Sequence, residues 1–152
     1  MAASKILWAT PQSFSSLTPE IFRTLFMTHI RPILEYGKPA FYPATKRECV
    51  LLEGVQRKGS KVVAGLYNTN YEERLKHLGL FSLEYRRHRG ALIDTWKILN
   101  DELGEEIRRF FVAATNRITR GHPLKLCKPR RLRHDLNLTL STRIVNAWNK
   151  IR

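Results

Sequence analysis

The residues that could perform catalysis are few in this 152-residue chain, and they are scattered. The nearest thiol and imidazole are Cys127 and His122, five positions apart on a stretch predicted to be extended. A nucleophilic thiol needs a base within hydrogen-bond reach, and this spacing is a poor match for that arrangement. The carboxylate pairs 72–73 and 105–106 consist of adjacent residues, whose side chains diverge on a helix.

Other catalytic patterns are also missing from the sequence. It has no glycine-rich phosphate loop and no G-x-S-x-G motif. Its five histidines are dispersed, and its aspartates are not spaced to hold two magnesium ions. We therefore expect no catalytic residues, no metal site, no cofactor and no enzymatic activity of this chain on its own.

The charge distribution points instead to a polyanionic partner. The chain contains 27 Lys and Arg against 13 Asp and Glu, a net charge of +14, and 11 of those charges fall in residues 107–152. Nucleic acid is the commonest partner of so basic a protein, with an anionic membrane surface or a merely solubilising tail as the alternatives. The sequence has no apolar run long enough to span a membrane.

Cations gather on one side of a helix that is predicted to begin at Thr45, where Thr45 and Glu48 have capping-box spacing. At 100° per residue, five cations share a sector about 120° wide. They are Lys46, Arg47, Arg57, Lys58 and Lys61. An ordinary solvated face is the alternative, but this sector lacks the acids that would offset repulsion, and a phosphate backbone would relieve it.

The apolar sector of the same helix predicts its buried side. It consists of Leu51, Leu52, Val55, Val62, Val63 and Leu66. An earlier helix is predicted to begin with Thr18 as cap and Pro19 in its first turn, and to end at Gly37. Pro32 lacks a backbone donor, so we expect a kink in that helix near residues 28–31.

Two more helices are predicted downstream. A short one begins within residues 69–72 and ends at Gly79, and Ser82 caps a longer one. The apolar face of the longer helix is predicted to contain Tyr85, Leu92, Trp96, Leu99 and Leu103.

The C-terminal part is predicted to contain an extended stretch at residues 124–126 and a final amphipathic helix. The apolar stripe of that helix is Ile144, Val145, Trp148 and Ile151. The predicted fold is therefore mainly α: a small helical bundle with a basic, partly extended C-terminal arm. We divide the chain into a lead-in (1–17), the bundle (18–106) and a basic C-terminal extension (107–152).

Several short motifs occur in order along the chain. They are RPILEYG (31–37), LEGVQRK (52–58), YEERL (71–75) with LGL (78–80), SLEYRR (82–87), TRGH (119–122), LKL (124–126) and RIVNAWN (143–149). As an ordered set they resemble the C-terminal region of reverse transcriptases from LINE-type, jockey-like non-LTR retrotransposons. The resemblance extends from about Ile21 to the end of the chain.

The resemblance implies a thumb, the helical bundle that lies against the template–primer duplex, followed by a basic extension. It implies backbone contacts to RNA or to an RNA–DNA hybrid, which give affinity but no sequence preference. The family's catalytic palm, with its Tyr-Ala-Asp-Asp motif, is absent from this sequence. We therefore expect a noncatalytic, detached piece of an RNA-directed DNA polymerase, to which polymerase activity is not carried over.

The resulting phosphate-contact candidates lie on two helices and on the C-terminal arm. They are Lys46, Arg47, Arg57, Lys58, Lys61, Arg86, Arg87, Arg120, Lys125, Lys128, Arg130, Arg131 and Arg133. Tyr67 and Tyr71 are candidates to stack on a base, with core packing as the alternative.

Three other functions stay open at this point. An exposed apolar surface could bind a polymerase palm or a second copy, which would make this a protein-interaction or dimerisation module. The chain could also be a non-functional relic of the element, or a sequence-specific helix-turn-helix factor. Two isolated cysteines and no recognisable signal peptide predict an intracellular protein of the nucleus or cytoplasm, without a membrane partner.

Overall fold

The computed structural model describes residues 17–36, 46–114, 123–128 and 140–151. These residues are mainly helical, as predicted. The helices are α1 (Pro19–Leu25), a π turn (Phe26–Ile30), α2 (Arg31–Glu35), α3 (Lys46–Lys61), α4 (Tyr71–His77), α5 (Leu83–Leu99), α6 (Glu105–Arg108), α7 (Leu140–Arg143) and α8 (Val145–Trp148). The chain forms two compact units, Met1–Arg87 and His88–Arg152. None of the described helices is both long enough and apolar enough to cross a membrane.

The first helix begins as its sequence predicts and then widens. The Thr18 hydroxyl accepts a hydrogen bond from the backbone N–H of Ile21 (3.4 Å), and Pro19 occupies the first turn. The predicted kink is a π turn, in which the N–H of Arg31 donates to the carbonyl of Phe26, five residues back. Pro32 has no N–H to donate, so the regular helical bond is lost there and the wider turn accommodates the break.

The core of the first unit gathers apolar side chains from Leu17 and α1, from the π turn, from α4, and from the segments after α3 and α4. Its buried members are Leu17, Phe22, Phe26, Ile30, Val63, Leu66, Leu75, Leu78 and Leu80. The rings of Phe22 and Phe26 stack with centroids 5.6 Å apart. Burial of these side chains is the main stabilising contribution to this unit.

Helix α3 buries polar residues, and its predicted apolar sector is only partly confirmed, since Val63 and Leu66 lie in the core and Val55 packs against it. Its buried residues are Gln56, Gly59 and Ser60. The amide of Gln56 donates to the carbonyl of Phe81 (3.0 Å), and Ser60 Oγ accepts from Arg74 Nε (2.9 Å). The prediction that Leu51 and Val62 lie in the core is wrong, because both side chains are exposed. The side-chain N–H of Gln56 and the hydroxyl of Ser60 are both hydrogen-bonded in this buried position.

The predicted cap at Ser82 is confirmed, and α4 begins within the predicted residues 69–72 with Asn70 as its cap. Asn70 Oδ1 accepts from the N–H of Glu73 (2.9 Å), and Ser82 Oγ accepts from the N–H of Tyr85 (3.2 Å). Gly79 ends the first of these helices with φ at +60°, a conformation that glycine adopts without strain.

The predicted apolar face of α5 is only partly confirmed, since Leu92 and Leu99 pack against the core of the second unit. Tyr85 and Trp96 are exposed, although they were assigned to that face. The fully buried side chains of the helix lie on the other side of it, and they include polar ones. They are Leu83, Arg87, Thr95 and Ile98. Thr95 fits there because its hydroxyl donates to the carbonyl of Ala91 (2.8 Å), so the helix itself satisfies its polar group.

The second unit has its own small core around Leu126, Val145 and Trp148. Within the stretch predicted to be extended, Leu126 forms an isolated antiparallel bridge with Ala113. Asn149 holds this stretch from the other side: its Nδ2 donates to Leu126 O (2.8 Å) and its Oδ1 accepts from Leu126 N (2.9 Å). This side-chain amide therefore reproduces the pairing of a neighbouring strand.

The C-terminal helix differs from its prediction in length. Two short helices, α7 and α8, replace one, and Ile151 is exposed rather than buried with Ile144. The two compact units meet within the span of α5, whose Leu92 and Leu99 pack against the core of the second unit. The boundary predicted behind Glu106 stays a prediction.

Candidate nucleic-acid interface

Helix α3 presents all five of its predicted cations to solvent. Lys46, Arg47, Arg57, Lys58 and Lys61 are exposed. We call this set the basic face of α3. The helix is 16 residues long, so its two terminal lysines are about 22 Å apart along the axis at 1.5 Å per residue. The basic face is therefore a long, narrow strip of positive charge.

The polar anchor on the opposite side of α3 sets the direction of the basic face. Gln56 and Ser60 point inward, and both are fully buried. Arg47, Lys58 and Lys61 lie roughly 140–180° away from the middle of that buried side at 100° per residue. The two sides of the helix are thus fixed by hydrogen bonds to Phe81 and Arg74.

Glu53, the acid at the edge of the basic face, is engaged elsewhere. Its carboxylate accepts hydrogen bonds from the Tyr71 hydroxyl and from the backbone N–H groups of Leu83 (3.3 Å) and Glu84 (3.2 Å). The last two are free donors of the first turn of α5, so Glu53 caps that helix. Burial raises the pKa of Tyr71, and the bond to Glu53 raises it further.

Arg57 is the most constrained member of the basic face. Its guanidinium lies 4.4 Å from the centroid of the Tyr71 ring, while that of Arg74 lies 5.5 Å from the same centroid. A cation stacked on an aromatic ring keeps its planar donors available for a second partner. Tyr71 therefore positions Arg57 and packs on the core, as the alternative interpretation of this residue predicted.

No carboxylate of the described residues lies within 4.0 Å of any cation of the basic face. The ion pairs seen in those ranges are Arg86–Glu35 and Arg108–Asp101. Two apolar side chains, Val50 and Leu51, are also exposed on α3, at 69% and 64%. The face consequently combines uncompensated charge with a small apolar contribution.

Gly54 lies near the middle of the basic face by helical position, between Lys61 and Arg47. A Cβ built at Gly54 would meet no atom within 4 Å. The absence of a side chain at this point leaves the helix backbone open to close approach by a ligand.

Of the two predicted contact residues on α5, Arg86 is held in an ion pair and Arg87 is buried. Arg86 forms a two-point ion pair with Glu35, at 2.7 Å (Nε–Oε1) and 3.2 Å (Nη2–Oε2). The hydrogen bond that Arg86 donates to Glu35 raises the pKa of Arg86. Arg87 is only 4% exposed, so its predicted role on the surface is wrong. Residue spacing alone did not show that α2 supplies a carboxylate here or that α5 buries this arginine.

The cations of the C-terminal arm are only partly described. Lys128 is exposed and Lys125 is half-buried and has an interaction partner. Arg120, Arg130, Arg131 and Arg133 lie outside the described residues, as does His122, the imidazole nearest to Cys127. Within the described ranges, no three His, Cys, Asp or Glu side chains come together in a way that could hold a metal ion.

Sequence reasoning missed the network that orients the basic face. Tyr71, Glu53, Gln56 and Ser60 each position α3 through a polar contact. The one signal in the sequence was the presence of polar residues at helical spacing opposite the cations.

Comparison with protein-family models, with curated proteins and with solved structures finds no match to this chain.

Proposed function

We propose that this chain is a noncatalytic fragment of a retrotransposon reverse transcriptase that contacts the phosphate backbone of RNA or of an RNA–DNA template–primer duplex. The observation that carries the binding part is the basic face of α3, with five exposed cations and no carboxylate within ion-pair distance among the described residues. The ordered motifs support the family part.

Binding would follow from the release of counterions. Each Lys or Arg that neutralises a phosphate displaces condensed cations from the nucleic acid, which makes the affinity fall steeply with salt. A-form duplexes offer a wide, shallow minor groove flanked by phosphates, and a helix can lie across it. Such contacts fix the position of the helix on the duplex and carry no sequence information.

A matched pair of triple variants tests the proposal. The first variant, Arg47→Gln/Lys58→Gln/Lys61→Gln, removes three cations of the basic face and leaves Arg57 stacked on Tyr71. The control, Lys76→Gln/Arg89→Gln/Lys97→Gln, removes three exposed cations from other helices and gives the same net charge. Affinity for a labelled RNA–DNA hybrid is measured for both variants and the parent over a salt series.

The two variants should differ in the slope of log K against log salt. We expect the slope of the first variant to become less negative by about 2 to 3, at about 0.7 to 0.9 per phosphate contact. The control should keep the slope of the parent. Equal losses in both variants would show that only net charge matters, and a flat slope in the parent would end the proposal.

A second candidate function, a protein-interaction or dimerisation module, is favoured by an exposed aromatic pair. The rings of Phe81 and Tyr85 have centroids 5.2 Å apart, and both side chains are more than half exposed. Aromatic side chains of this kind are enriched at protein interfaces. Size-exclusion chromatography at low and high salt tests this candidate, because apolar association persists at high salt and backbone binding does not.

A further inference from the structure

A cluster of arginines lies in the first unit on elements other than α3. Arg23 comes from α1, Arg31 from the start of α2 and Arg86 from the first turn of α5. Arg86 and Arg23 both lower the pKa of Arg31, after the larger effect of burial, and Glu35 opposes them. Arg31 therefore lies within electrostatic range of both Arg86 and Arg23.

The carboxylate in this cluster is already engaged. Both oxygens of Glu35 accept hydrogen bonds from Arg86, at 2.7 and 3.2 Å. The Glu35 side chain is 11% exposed, so this pair is shielded from solvent better than a surface ion pair. Neither Arg23 nor Arg31 has a carboxylate within 4.0 Å in the described part of the chain. The cluster thus carries an excess of about two positive charges.

Arg31 is also missing a hydrogen-bond acceptor. Its Nε atom is buried and has no partner among the described residues. Its guanidinium lies 5.8 Å from the centroid of the Phe26 ring, which belongs to the core. A buried N–H group without an acceptor is costly, and native structures normally satisfy such a group with protein, water or a bound ion.

Arg23 reaches the turn that follows α4. Its Nη1 atom lies 3.3 Å from the position that a Cβ at Gly79 would occupy. The residue is itself exposed, so its remaining donors are accessible from solvent. A guanidinium with several free donors is suited to a planar or tetrahedral oxyanion.

We propose that Arg31 and Arg23 bind a dianionic phosphate group, with the Arg86–Glu35 pair holding α2 in position. A phosphate monoester carries about −1.5 to −2 charges near neutral pH, which matches the excess of this cluster better than a single carboxylate or a phosphodiester. The group can be free phosphate or the terminal phosphate of a nucleotide chain. The site uses no cation of the basic face of α3 and does not depend on the proposed function.

Thermal unfolding in the presence of inorganic phosphate tests the site. The midpoint of thermal unfolding is measured for the parent, for Arg31→Gln and for Arg23→Gln over a series of phosphate concentrations at about pH 8. Sodium chloride keeps the ionic strength constant. The Arg23 variant changes an exposed side chain, so it keeps the test valid if the Arg31 variant fails to fold. The triple variant Arg47→Gln/Lys58→Gln/Lys61→Gln serves as the control.

Specific binding predicts that the midpoint of the parent and of the α3 control rises with phosphate. The phosphate concentration that produces a given rise in the midpoint should be about tenfold higher or more for Arg23→Gln, since a charge-assisted hydrogen bond is lost. An equal rise in every protein would reveal only a general salt effect and overturn the proposal, as would no rise in the parent. Neither of these results alters the salt-slope test of the basic face.

A second measurement identifies the source of the phosphate. Two RNA oligonucleotides of one sequence, with a 5′-phosphate or a 5′-hydroxyl, are titrated into the triple α3 variant with and without Arg23→Gln. A preference for the 5′-phosphate that disappears with Arg23→Gln assigns the site to nucleic-acid ends. Equal affinities, together with a phosphate-dependent midpoint, assign it to free phosphate.

Discussion

At the residue scale, Tyr71 and Glu53 connect the basic face to the rest of its unit. The Tyr71 hydroxyl donates to Glu53, the Tyr71 ring supports Arg57, and Glu53 caps α5. One phenol and one carboxylate thus fix the orientation of a cation and the start of another helix. The carboxylate, which could have neutralised the basic face, is held by donors outside it.

The raised pKa of Tyr71 predicts an alkaline loss of stability. The unfolded chain ionises this phenol near its ordinary pKa of about 10, while the folded protein keeps it protonated at that pH. Its contribution is therefore complete below about pH 10 and decreases as the pH rises beyond it. We expect the free energy of unfolding to fall more steeply from about pH 9 to 11 in the parent than in Tyr71→Phe, as measured by urea denaturation.

Tyr71→Phe also provides a check on the hydrogen bond itself. At neutral pH the variant should lose about 1 kcal/mol, the usual net value of a hydrogen bond, because Glu53 keeps its two backbone donors. Identical alkaline slopes in the two proteins would contradict the proposed origin of the pH dependence.

At the element scale, the features that could be predicted from the sequence are those that depend on local chemistry. The caps at Thr18 and Ser82 need only one side chain and the next turn of backbone, and both form as expected. The start of α4 also falls within the predicted residues, with Asn70 as its cap. The break before Pro32 is equally local, because it follows from a missing donor. The cations of α3 were predicted as one exposed face, and that placement is also found.

The buried faces were harder to predict because partners distant in sequence decide them. Gln56 is buried because Phe81, 25 residues away, supplies an acceptor, and Ser60 because Arg74 supplies a donor. A hydrophobic periodicity cannot register either contact, so it assigned the core to Leu51 instead. The same limit explains Arg86, whose carboxylate partner lies 51 residues earlier.

Two glycines should respond in opposite ways to alanine. Gly54 is in the interior of α3 with open space where a Cβ would lie, so Gly54→Ala should stabilise the fold by up to about 1 kcal/mol. Gly79 has φ at +60° and Arg23 beside it, so Gly79→Ala should destabilise by about 1 kcal/mol or more. Urea denaturation of the two variants measures both changes.

Gly54→Ala also probes how closely the ligand approaches α3. If a phosphate backbone lies against the helix at this point, the stabilised variant should bind the RNA–DNA hybrid more weakly than the parent. Unchanged affinity would place the backbone on the ends of the long cationic side chains, away from the helix surface.

At the scale of the whole molecule, the surplus of positive charge opposes folding. The chain carries a net charge of +14, and like charges at helical neighbours such as Arg57 and Lys61 repel each other. Without nucleic acid, Arg47→Gln/Lys58→Gln/Lys61→Gln should therefore be more stable than the parent at low salt, by a few tenths of a kcal/mol per repulsion relieved.

The salt dependence of the stability gained by Arg47→Gln/Lys58→Gln/Lys61→Gln tests whether charge repulsion is its cause. Screening by about 0.5 M sodium chloride should remove most of the difference in unfolding midpoint between this variant and the parent. The variant Lys76→Gln/Arg89→Gln/Lys97→Gln should show no comparable gain. A gain that persists at high salt would mean that the substitutions act through helix propensity rather than through charge.

Because α2 follows the π turn at Phe26–Ile30 directly, the number of residues in this turn determines the direction in which the side chains of α2 point. Each residue rotates a helix by about 100°, so a one-residue deletion inside this turn would swing Glu35 about a quarter of a circle away from Arg86. An insertion would swing it a similar angle in the opposite sense. Evolution can exchange side chains along this segment, but changes of length there should be rejected, which is the reverse of the indel tolerance typical of surface loops.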